Sequence, residues 1–325
     1  MTQHFLTLSE TSRRTLELML EAARRLRGER ELGRPHDQVL AGRSLVMLFE
    51  KPSLRTRVSF ELAARELGAH PISMGGGEVG LGQRESAADV ARVLSGMAHG
   101  IAARVYDHAV LEELAEHASA PVINMLSDRA HPAQALADVL TIGDEFGHDL
   151  EGRTVAFVGD GNNVAGSLAQ ACVKCGLRFV IASPEGYGLS DQVWAMIRRE
   201  AEAVGRDPDV AAWSQADPAK AVAGADVVYT DTFVSMGQED EAARRKKAFE
   251  GFAVNEDLLA HAPDHAIVMH CLPAHRGEEV SAGVLDGPRS RVFAQAHNRL
   301  HAQKGLLAVL MSPESPDSPE AGALP

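Results

Sequence analysis

Two arginines and two hydroxyl side chains stand together in one short segment, Ser53-Leu54-Arg55-Thr56-Arg57. The apolar run 44–49 before it predicts a buried strand, and Ser53 is a good N-cap for a helix that begins directly after it. Arg55 and Arg57 would then lie in the first turn, where the helix dipole makes a cation unfavourable by up to about 1 kcal/mol. A bound anion would reverse this cost. The segment therefore predicts a phosphate site at the end of the strand; two arginines on a solvated helix face are the alternative.

A second group of polar residues follows the next predicted strands. Arg104 lies near the carboxyl end of a strand predicted at 100–105, and His131 and Gln134 flank Pro132-Ala133 at the start of a predicted helix. A histidine and an amide at this position suit a carbonyl or amide ligand. Each residue also has a structural interpretation, because a surface ion pair would account for Arg104 and single histidines are more often structural.

The second half of the chain has two reactive residue types at the ends of predicted strands. Asp231 follows a strand predicted at 226–230, and with the small-residue loop after it the carboxylate could bind an ammonium group. Cys271 follows a strand predicted at 266–269, where a thiol is well placed for chemistry, although packing is the more common role of a buried thiol. In parallel sheets, ligands bind at the carboxyl ends of the strands, so both residues are candidate site residues.

The elements that must position these residues alternate between strands and helices, which indicates parallel α/β sheets. The chain of 325 residues is too long for one average domain, and 45% hydrophobic residues are enough for two cores. Amphipathic helices are predicted near 16–26, 90–97 and 293–310. The glycine-rich stretch 75–82 is predicted to be a loop, and a lid, a cross-subunit arm and a plain surface connection are all compatible with it.

Composition narrows the possible partners and the compartment. The chain has 32 Lys and Arg against 45 Asp and Glu, a net charge of −13, which argues against nucleic acid or an anionic membrane as partner. No apolar stretch has the length of a membrane span, and the first residues do not form a secretory signal. Only three cysteines predict a reducing, cytoplasmic setting. The segment 312–325, rich in Pro, Ser and Glu, is predicted to be a disordered tail.

A dinucleotide site is the main alternative for the second half. The turn 159–164 after a predicted strand resembles a dinucleotide-binding turn, but Val164 replaces its third glycine. The next predicted strand leads into Ser183 rather than an acidic residue that could hold a ribose. Dinucleotide binding is therefore the less favoured interpretation.

Two further clusters are interpreted as structural. Cys172 and Cys175 lie several turns into a predicted helix, where buried thiols usually pack. The run 244–247 of four cations predicts a solvated helix face. A metal site is not predicted, because neither histidine set has a convincing further ligand at the right spacing. The two sets are His297 with His301, and His261 with Asp264 and His265.

Taken together and in this order, the motifs resemble the carbamoyltransferases, in particular the ornithine carbamoyltransferases, from about Phe5 to Leu310. His-Cys-Leu-Pro at 270–273 and Asp-x-x-x-Ser-Met-Gly at 231–237 distinguish this branch from its aspartate relative. The resemblance implies two doubly wound parallel-sheet α/β domains joined by interdomain helices. Residues 1–147, with a returning helix at 292–311, would bind carbamoyl phosphate, and residues 148–291 would bind ornithine. It also implies a homotrimer and transfer of a carbamoyl group to L-ornithine, giving L-citrulline and phosphate, in arginine biosynthesis.

The resemblance also implies a role for individual residues, with no metal and no organic cofactor. Arg104, His131 and Cys271 would be catalytic. Carbamoyl phosphate would contact Ser53, Leu54, Arg55, Thr56, Arg57, Arg104, His131, Gln134, Cys271, Leu272 and Arg299. Ornithine would contact Asn163, Asp231, Ser235 and Met236. The same transfer to putrescine or an acylated ornithine, and a catalytically silent binding protein, are the remaining alternatives.

Two positions depart from the family pattern. Leu54 stands where the family usually has threonine, which costs little if a backbone N–H serves there. Gly80 stands where the family has a glutamine that reaches the carbamoyl phosphate of a neighbouring subunit, and Gln83 is the candidate replacement.

Overall fold

The structure is a computed structural model that describes residues 3–82, 84–234 and 239–312. The chain forms two compact units, residues 1–140 with 298–325 and residues 141–297, called unit 1 and unit 2 below. Among the described residues, none of the helices is long and apolar enough to span a membrane. Apart from Ser312, the predicted tail at 312–325 lies outside the described residues.

Unit 1 is built on a four-stranded parallel sheet with the strand order β2-β1-β3-β4. Its elements are α1 (Arg13–Glu31), β1 (Ser44–Phe49), α2 (Leu54–Glu66), β2 (His70–Gly75), α3 (Gly76–Val79), α4 (Ala87–Ser95), β3 (Gly100–Arg104), α5 (His108–His117) and β4 (Val122–Leu126). The helix α6 (Pro132–Phe146) begins in unit 1 and ends in unit 2.

Unit 2 is built on a five-stranded parallel sheet with the strand order β7-β6-β5-β8-β9. Its elements are β5 (Thr154–Val158), α7 (Asn163–Lys174), β6 (Arg178–Ala182), α8 (Asp191–Ala203), α9 (Pro208–Ala211), β7 (Ala212–Ser214), α10 (Pro218–Val222), β8 (Val227–Thr230), a 3₁₀ turn (Glu239–Glu241), α11 (Ala242–Ala248), α12 (Glu256–Leu259), β9 (Ile267–His270) and α13 (Ala282–Leu285). The last helix, α14 (Val292–Met311), has residues in both units.

The two parallel sheets with their helices confirm the predicted α/β fold class. All five residues of β3 and of β5 are buried, as expected for parallel strands covered on both faces. The predicted N-cap of α2 is also found, and Gly68 follows the C-cap with φ 87°. A side chain on Gly68 would meet the carbonyl oxygen of Asp37 at 1.8 Å, so this position needs glycine for space as well as for conformation.

The last helix packs closely on the first within unit 1. Gly305 of α14 lies so near α1 that an added Cβ would be 2.1 Å from the carbonyl oxygen of Met19. Leu306 and Leu307 are fully buried beside it. The closeness of the two backbones explains why an apolar helix at the end of the chain belongs to the core of unit 1.

Two local predictions were wrong. The helix predicted through Met97 ends at Ser95, because Gly96 serves as its C-cap and Met97 is 74% exposed. The stretch 75–82 is not wholly a loop, since α3 forms one short helical turn that Gly80 ends with φ 62°. Gln83, the candidate replacement for the family glutamine, lies outside the described residues.

Candidate active site

The amino end of α2 in unit 1 has the predicted architecture. Ser53 is extended, with φ −159°, and its Oγ accepts a hydrogen bond from the Thr56 N–H at 3.4 Å. The first turn of α2 contains no acidic residue. Arg55 is half-buried, whereas Arg57 is exposed and donates from Nε to Glu61 Oε1 at 3.0 Å. The helix end therefore keeps an electropositive character at Arg55, and Arg57 has its own counter-ion.

Arg299 of α14 joins two predicted phosphate-site residues into one buried cluster. Its Nη2 donates to Thr56 Oγ1 at 2.7 Å and its Nη1 to Gln134 Oε1 at 2.6 Å. Gln134 in turn donates from Nε2 to Asp138 Oδ1 at 2.8 Å. All four side chains are buried. The planar guanidinium thus fixes the orientation of the Gln134 amide, and Asp138 supports it from one helical turn further along α6.

His131 and Arg104 are two further predicted site residues of unit 1. Both are buried, at 4% and 5% exposure. Burial, reinforced by the charges of Arg299 and Arg104, holds the pKa of His131 well below its usual value of 6.5. The imidazole is therefore neutral at neutral pH, and beside two cations it can serve as a hydrogen-bond donor without adding a third positive charge.

Lys51 is a residue of this region that sequence reasoning missed. It is buried at 6% exposure, and its Nζ lies 4.3 Å from the centroid of the Tyr106 ring. Burial, with the nearby charge of Arg104, lowers the pKa of its ammonium group. Its position two residues before Ser53 was the available signal, since a lysine between a buried strand and a helix N-terminus adds a further cation for an anionic ligand.

Unit 2 brings Asp231 and Cys271 together at the ends of neighbouring strands. Thr230 of β8 pairs with His270 of β9, so the residues that follow them become adjacent. Cys271 donates from Sγ to Asp231 Oδ1 at 3.1 Å, and Asn162 donates from Nδ2 to Asp231 Oδ2 at 2.8 Å. Both oxygens of the buried carboxylate are thereby oriented, one by a thiol and one by an amide.

Asn162 is a second residue that the sequence did not identify. Its Oδ1 caps α7 by accepting from the N–H groups of Val164 and Ala165, each at 3.0 Å, which leaves Nδ2 for Asp231. The predicted ligand Asn163 is the next residue, half-buried at the first position of α7. Its role in binding stays a prediction. An asparagine directly before a helix is a recognisable N-cap signal, and this signal could have distinguished the role of Asn162 from that of Asn163.

The turn after β9 is held by a buried histidine. The Leu272 N–H donates to His270 Nδ1 at 2.9 Å, and His270 Nε2 lies 3.2 Å from Glu279 Oε1. Leu272 has φ 59° and precedes a cis peptide bond to Pro273. A leucine in the left-handed region is uncommon, and this one directly follows Cys271, the predicted catalytic thiol.

The basic run 244–247 is not a uniformly solvated face, and that prediction was wrong for Arg245. Arg245 is buried at 7% exposure, and its Nη1 lies 3.0 Å from Asp160 Oδ2 and donates to the carbonyl oxygen of Phe233 at 3.1 Å. Burial raises the pKa of Asp160 to about 6, and the charge of Arg245 opposes that rise. Helix α11 turns this one arginine inward while its basic neighbours are more exposed. The predicted ornithine ligands Ser235 and Met236, which follow Phe233, lie outside the described residues.

A dinucleotide site finds no support at the end of β6. Ser183, at the place where such sites have an acidic residue, donates from Oγ to the carbonyl oxygen of Gly159 at 2.6 Å. A side chain on Gly161 would meet the backbone of Gly188 at 2.3 Å. The turn 159–164 is therefore shaped by packing against its own unit.

Potential metal ligands occur in two groups among the described residues. Asp231, His270 and Cys271 form the first, and His275, Glu278 and Glu279 form the second. In the first group both ring nitrogens of His270 already have protein partners, at Leu272 and Glu279, so His270 is poorly suited to bind an ion.

Comparison with known proteins supplies the family. A model described as the carbamoyl-P binding domain of aspartate/ornithine carbamoyltransferase matches residues 3–144, and one described as the Asp/Orn binding domain matches residues 151–310. This chain belongs to the aspartate/ornithine carbamoyltransferase family. The resemblance inferred from the motifs is thus confirmed, and the protein is an enzyme of the transferase class.

Individual relatives of this carbamoyltransferase support the same family assignment. It is 49% identical over 293 residues, 90% of either chain, to the ornithine carbamoyltransferase of Pyrococcus abyssi. Its structure is similar to that of ornithine carbamoyltransferase from Pyrococcus furiosus, with a TM-score of 0.90 and 47% identity over 95% of this chain and 97% of the other. A more distant similarity, at 29% identity and a TM-score of 0.83 over 95% of this chain and 99% of the other, is to a mutant of N-acetyl-L-ornithine transcarbamylase.

Proposed function

We propose that this carbamoyltransferase uses L-ornithine as its acceptor: it moves the carbamoyl group of carbamoyl phosphate to the δ-amino group and releases L-citrulline and phosphate. The observation that carries the proposal in unit 2 is the buried Asp231, oriented by Cys271 and Asn162. A buried carboxylate needs a counter-charge, and the α-ammonium group of a free amino acid supplies one. This acceptor places the reaction in arginine metabolism.

In unit 1, carbamoyl phosphate binds at the amino end of α2. Backbone N–H groups of the first turn and Arg55 bind the phosphate oxygens, as helix N-termini bind anions in general. The proposed contacts in unit 1 are Ser53, Leu54, Arg55, Thr56, Arg57, Arg104, His131, Gln134 and Arg299, and Cys271 and Leu272 stay predicted contacts. The hydrogen bonds from Arg299 to Thr56 and Gln134 support this set because they orient two of its members before a ligand arrives.

The electrostatics of unit 1 suit carbamoyl transfer. When the neutral δ-amine attacks the carbamoyl carbon, negative charge develops on the carbonyl oxygen. Arg104 and neutral His131 stabilise this charge as donors, and one such donor typically contributes about 3–4 kcal/mol. The leaving phosphate accepts the proton of the amine. The reaction therefore requires no protein base, no organic cofactor and no metal ion.

In unit 2, Asp231 binds the α-ammonium group and Asn163, Ser235 and Met236 bind the amino-acid end of ornithine. Cys271 donates its S–H to Asp231, and in this state the sulfur acts as a neutral donor that positions the substrate rather than as a nucleophile. An acylated ornithine would bring a neutral amide to Asp231, and putrescine would bring no carboxylate. Free ornithine supplies both the α-ammonium group for Asp231 and the α-carboxylate for the other proposed contacts.

Self-association as a homotrimer is the second part of the proposal. Leu54, Val58 and Leu62 are 76%, 46% and 42% exposed and lie one helical turn apart on a single face of α2. A continuous apolar stripe of this kind marks an interaction surface. The stripe begins inside the phosphate segment, so a neighbouring subunit bound to it would lie beside the site.

Three free cysteines support a reducing, cytoplasmic setting.

The decisive experiment measures citrulline formed by the purified full chain from carbamoyl phosphate and ornithine. Parallel reactions contain putrescine, N-acetylornithine or aspartate in place of ornithine. We expect activity with ornithine alone. Activity with another of these amines would refute the assignment of Asp231, and absence of carbamoyl transfer to all four would refute the enzymatic proposal.

A further inference from the structure

The segment 275–280 of unit 2 carries a group of metal-ligand side chains that the transfer reaction does not use. His275 and Glu278 are exposed and Glu279 is fully buried. One ligand atom of each lies within 4.8 Å of the other two. The backbone brings them together, because Glu278 N donates to the carbonyl oxygen of His275 at 2.9 Å and Gly277, with φ 89°, closes the loop onto Val280.

Glu279 is the observation that points to a bound ion. Its Oε1 accepts from the His275 N–H at 2.5 Å and lies 3.2 Å from His270 Nε2. Its Oε2 is buried and has no hydrogen-bond partner among the described residues. The Nδ1 atom of the exposed His275 ring lies 3.5 Å from Oε2. A buried carboxylate oxygen without a donor is costly, and a cation would remove that cost.

The geometry fits a small divalent ion. Zinc binds histidine nitrogen and carboxylate oxygen at about 2.0–2.2 Å, so two ligands of a tetrahedral site lie about 3.3–3.6 Å apart. The observed 3.5 Å between His275 Nδ1 and Glu279 Oε2 falls in that range. Glu278 would be the third ligand, and its Oε1 lies 3.4 Å from Lys246 Nζ on the exposed surface. One position remains for water. A nitrogen with two carboxylates suits zinc and similar transition ions better than Mg²⁺ or Ca²⁺.

We propose that His275, Glu278 and Glu279 form a surface site for a divalent transition-metal ion of the zinc class. The ion would bind Oε2 of Glu279, while the other oxygen of the same carboxylate holds His270. His270 in turn accepts the N–H of Leu272. Occupancy therefore stabilises the segment that carries Cys271 and Leu272, and the site is a structural clamp on this segment rather than part of the transfer chemistry.

The test is a calorimetric titration of Zn²⁺ into the full-length chain after treatment with a chelator. Wild type is compared with His275→Ala and Glu278→Gln, both at exposed positions. His261→Ala removes another exposed histidine of unit 2 and serves as the matched control. Cys271→Ser separates this site from thiolate binding of zinc beside Asp231. Thermal midpoints with and without Zn²⁺ provide a second measurement.

We expect one binding event. Its zinc affinity should fall at least about 10-fold in His275→Ala and in Glu278→Gln, because loss of an outer-shell partner alone typically costs about 10-fold or more in affinity and loss of a ligand costs no less. The event and its rise in thermal midpoint should persist in His261→Ala and Cys271→Ser. Equal zinc affinity in wild type and His275→Ala would overturn the proposal. So would binding that is lost in Cys271→Ser and retained in His275→Ala, since the ion would then lie on the thiol.

Discussion

The ion pair of Arg245 with Asp160 allows a quantitative prediction for unit 2. Replacing Arg245 by Met keeps most of the side-chain volume and removes the charge. The two side chains are 8% and 9% exposed, so the change leaves an uncompensated buried carboxylate. Breaking a buried pair in this way typically costs about 3–5 kcal/mol. We expect a loss of this size in the free energy of unfolding at pH 8.

The pH dependence of that loss tests the cause. In the wild type, burial raises the pKa of Asp160 from 3.8 to about 6. A carboxyl group with a raised pKa stabilises the fold below its unfolded pKa and loses that contribution as pH rises through about 6. The contribution is about 3 kcal/mol. Without the Arg245 charge the folded pKa rises further, so Asp160 is neutral at pH 5 in the variant. The cost of Arg245→Met should then fall to about 1–2 kcal/mol, the value of a lost hydrogen bond.

Urea unfolding followed by tryptophan fluorescence is suited to this measurement, because Trp194 and Trp213, the two tryptophans of the chain, both lie in unit 2. Arg244→Met is the matched control, since Arg244 precedes Arg245 and its side chain is 71% exposed. Its effect should be within about 0.5 kcal/mol. In Arg245→Met, Asp160→Asn should restore much of the loss at pH 8.

The same variant should alter binding of ornithine. Arg245 donates to the carbonyl oxygen of Phe233, two residues before the predicted ligand Ser235. We expect a raised KM for ornithine and an unchanged KM for carbamoyl phosphate. If Arg245→Met behaves like Arg244→Met, or if its cost is the same at pH 5 and pH 8, the account of a buried, charge-compensated carboxylate is wrong.

Three further predictions concern the two half-sites and the assembly. Arg55→Ala should weaken carbamoyl phosphate about 10- to 100-fold, the range for a lost hydrogen bond to a charged group, in a calorimetric titration; near-normal affinity would contradict the phosphate assignment. Asp231→Asn should raise the KM for ornithine far more than the KM for carbamoyl phosphate, and equal losses in steady-state assays would mean that the half-sites are misassigned. Leu62→Lys should shift the mass measured by light scattering from that of the proposed trimer towards that of a monomer, whereas Leu32→Lys, at an exposed leucine just past α1, should not. An unchanged mass for Leu62→Lys would argue against the apolar stripe as the contact surface.

Local signals in the sequence were sufficient for the elements that carry the site. Ser53 predicted the beginning of α2 and glycine its end, because a cap depends on the conformation of one residue and its near neighbours. The buried strands β1, β3 and β5 were likewise predicted from apolar runs. Motif order sufficed for the family. The extension of a helix to Met97 failed because apolar spacing continues past a residue that ends the helix.

These local signals could not predict contacts between residues that are far apart in the sequence. Arg299 and Thr56 are 243 positions apart, and no periodicity indicates that a guanidinium from the last helix will join Thr56 to Gln134. Residue types could nominate Asp231 and Cys271, but the hydrogen bond between them depends on the register of β8 against β9. The charge run around Arg245 predicted a solvated face because composition averages over a helix, whereas burial selects a single residue.

The sequence by itself therefore determined the alternation of strands and helices, the two ends of α2, and the residue types that can bind phosphate and an amino acid. The tertiary structure decided which of these residues share a hydrogen bond, which arginine is buried, and which buried carboxylate oxygen lacks a donor among the described residues. The physical reason is the distance along the sequence over which each interaction acts. Backbone conformation and capping act over a few residues, but desolvation and charge compensation at Asp160, His131 and Glu279 depend on groups that only folding brings within a few ångströms.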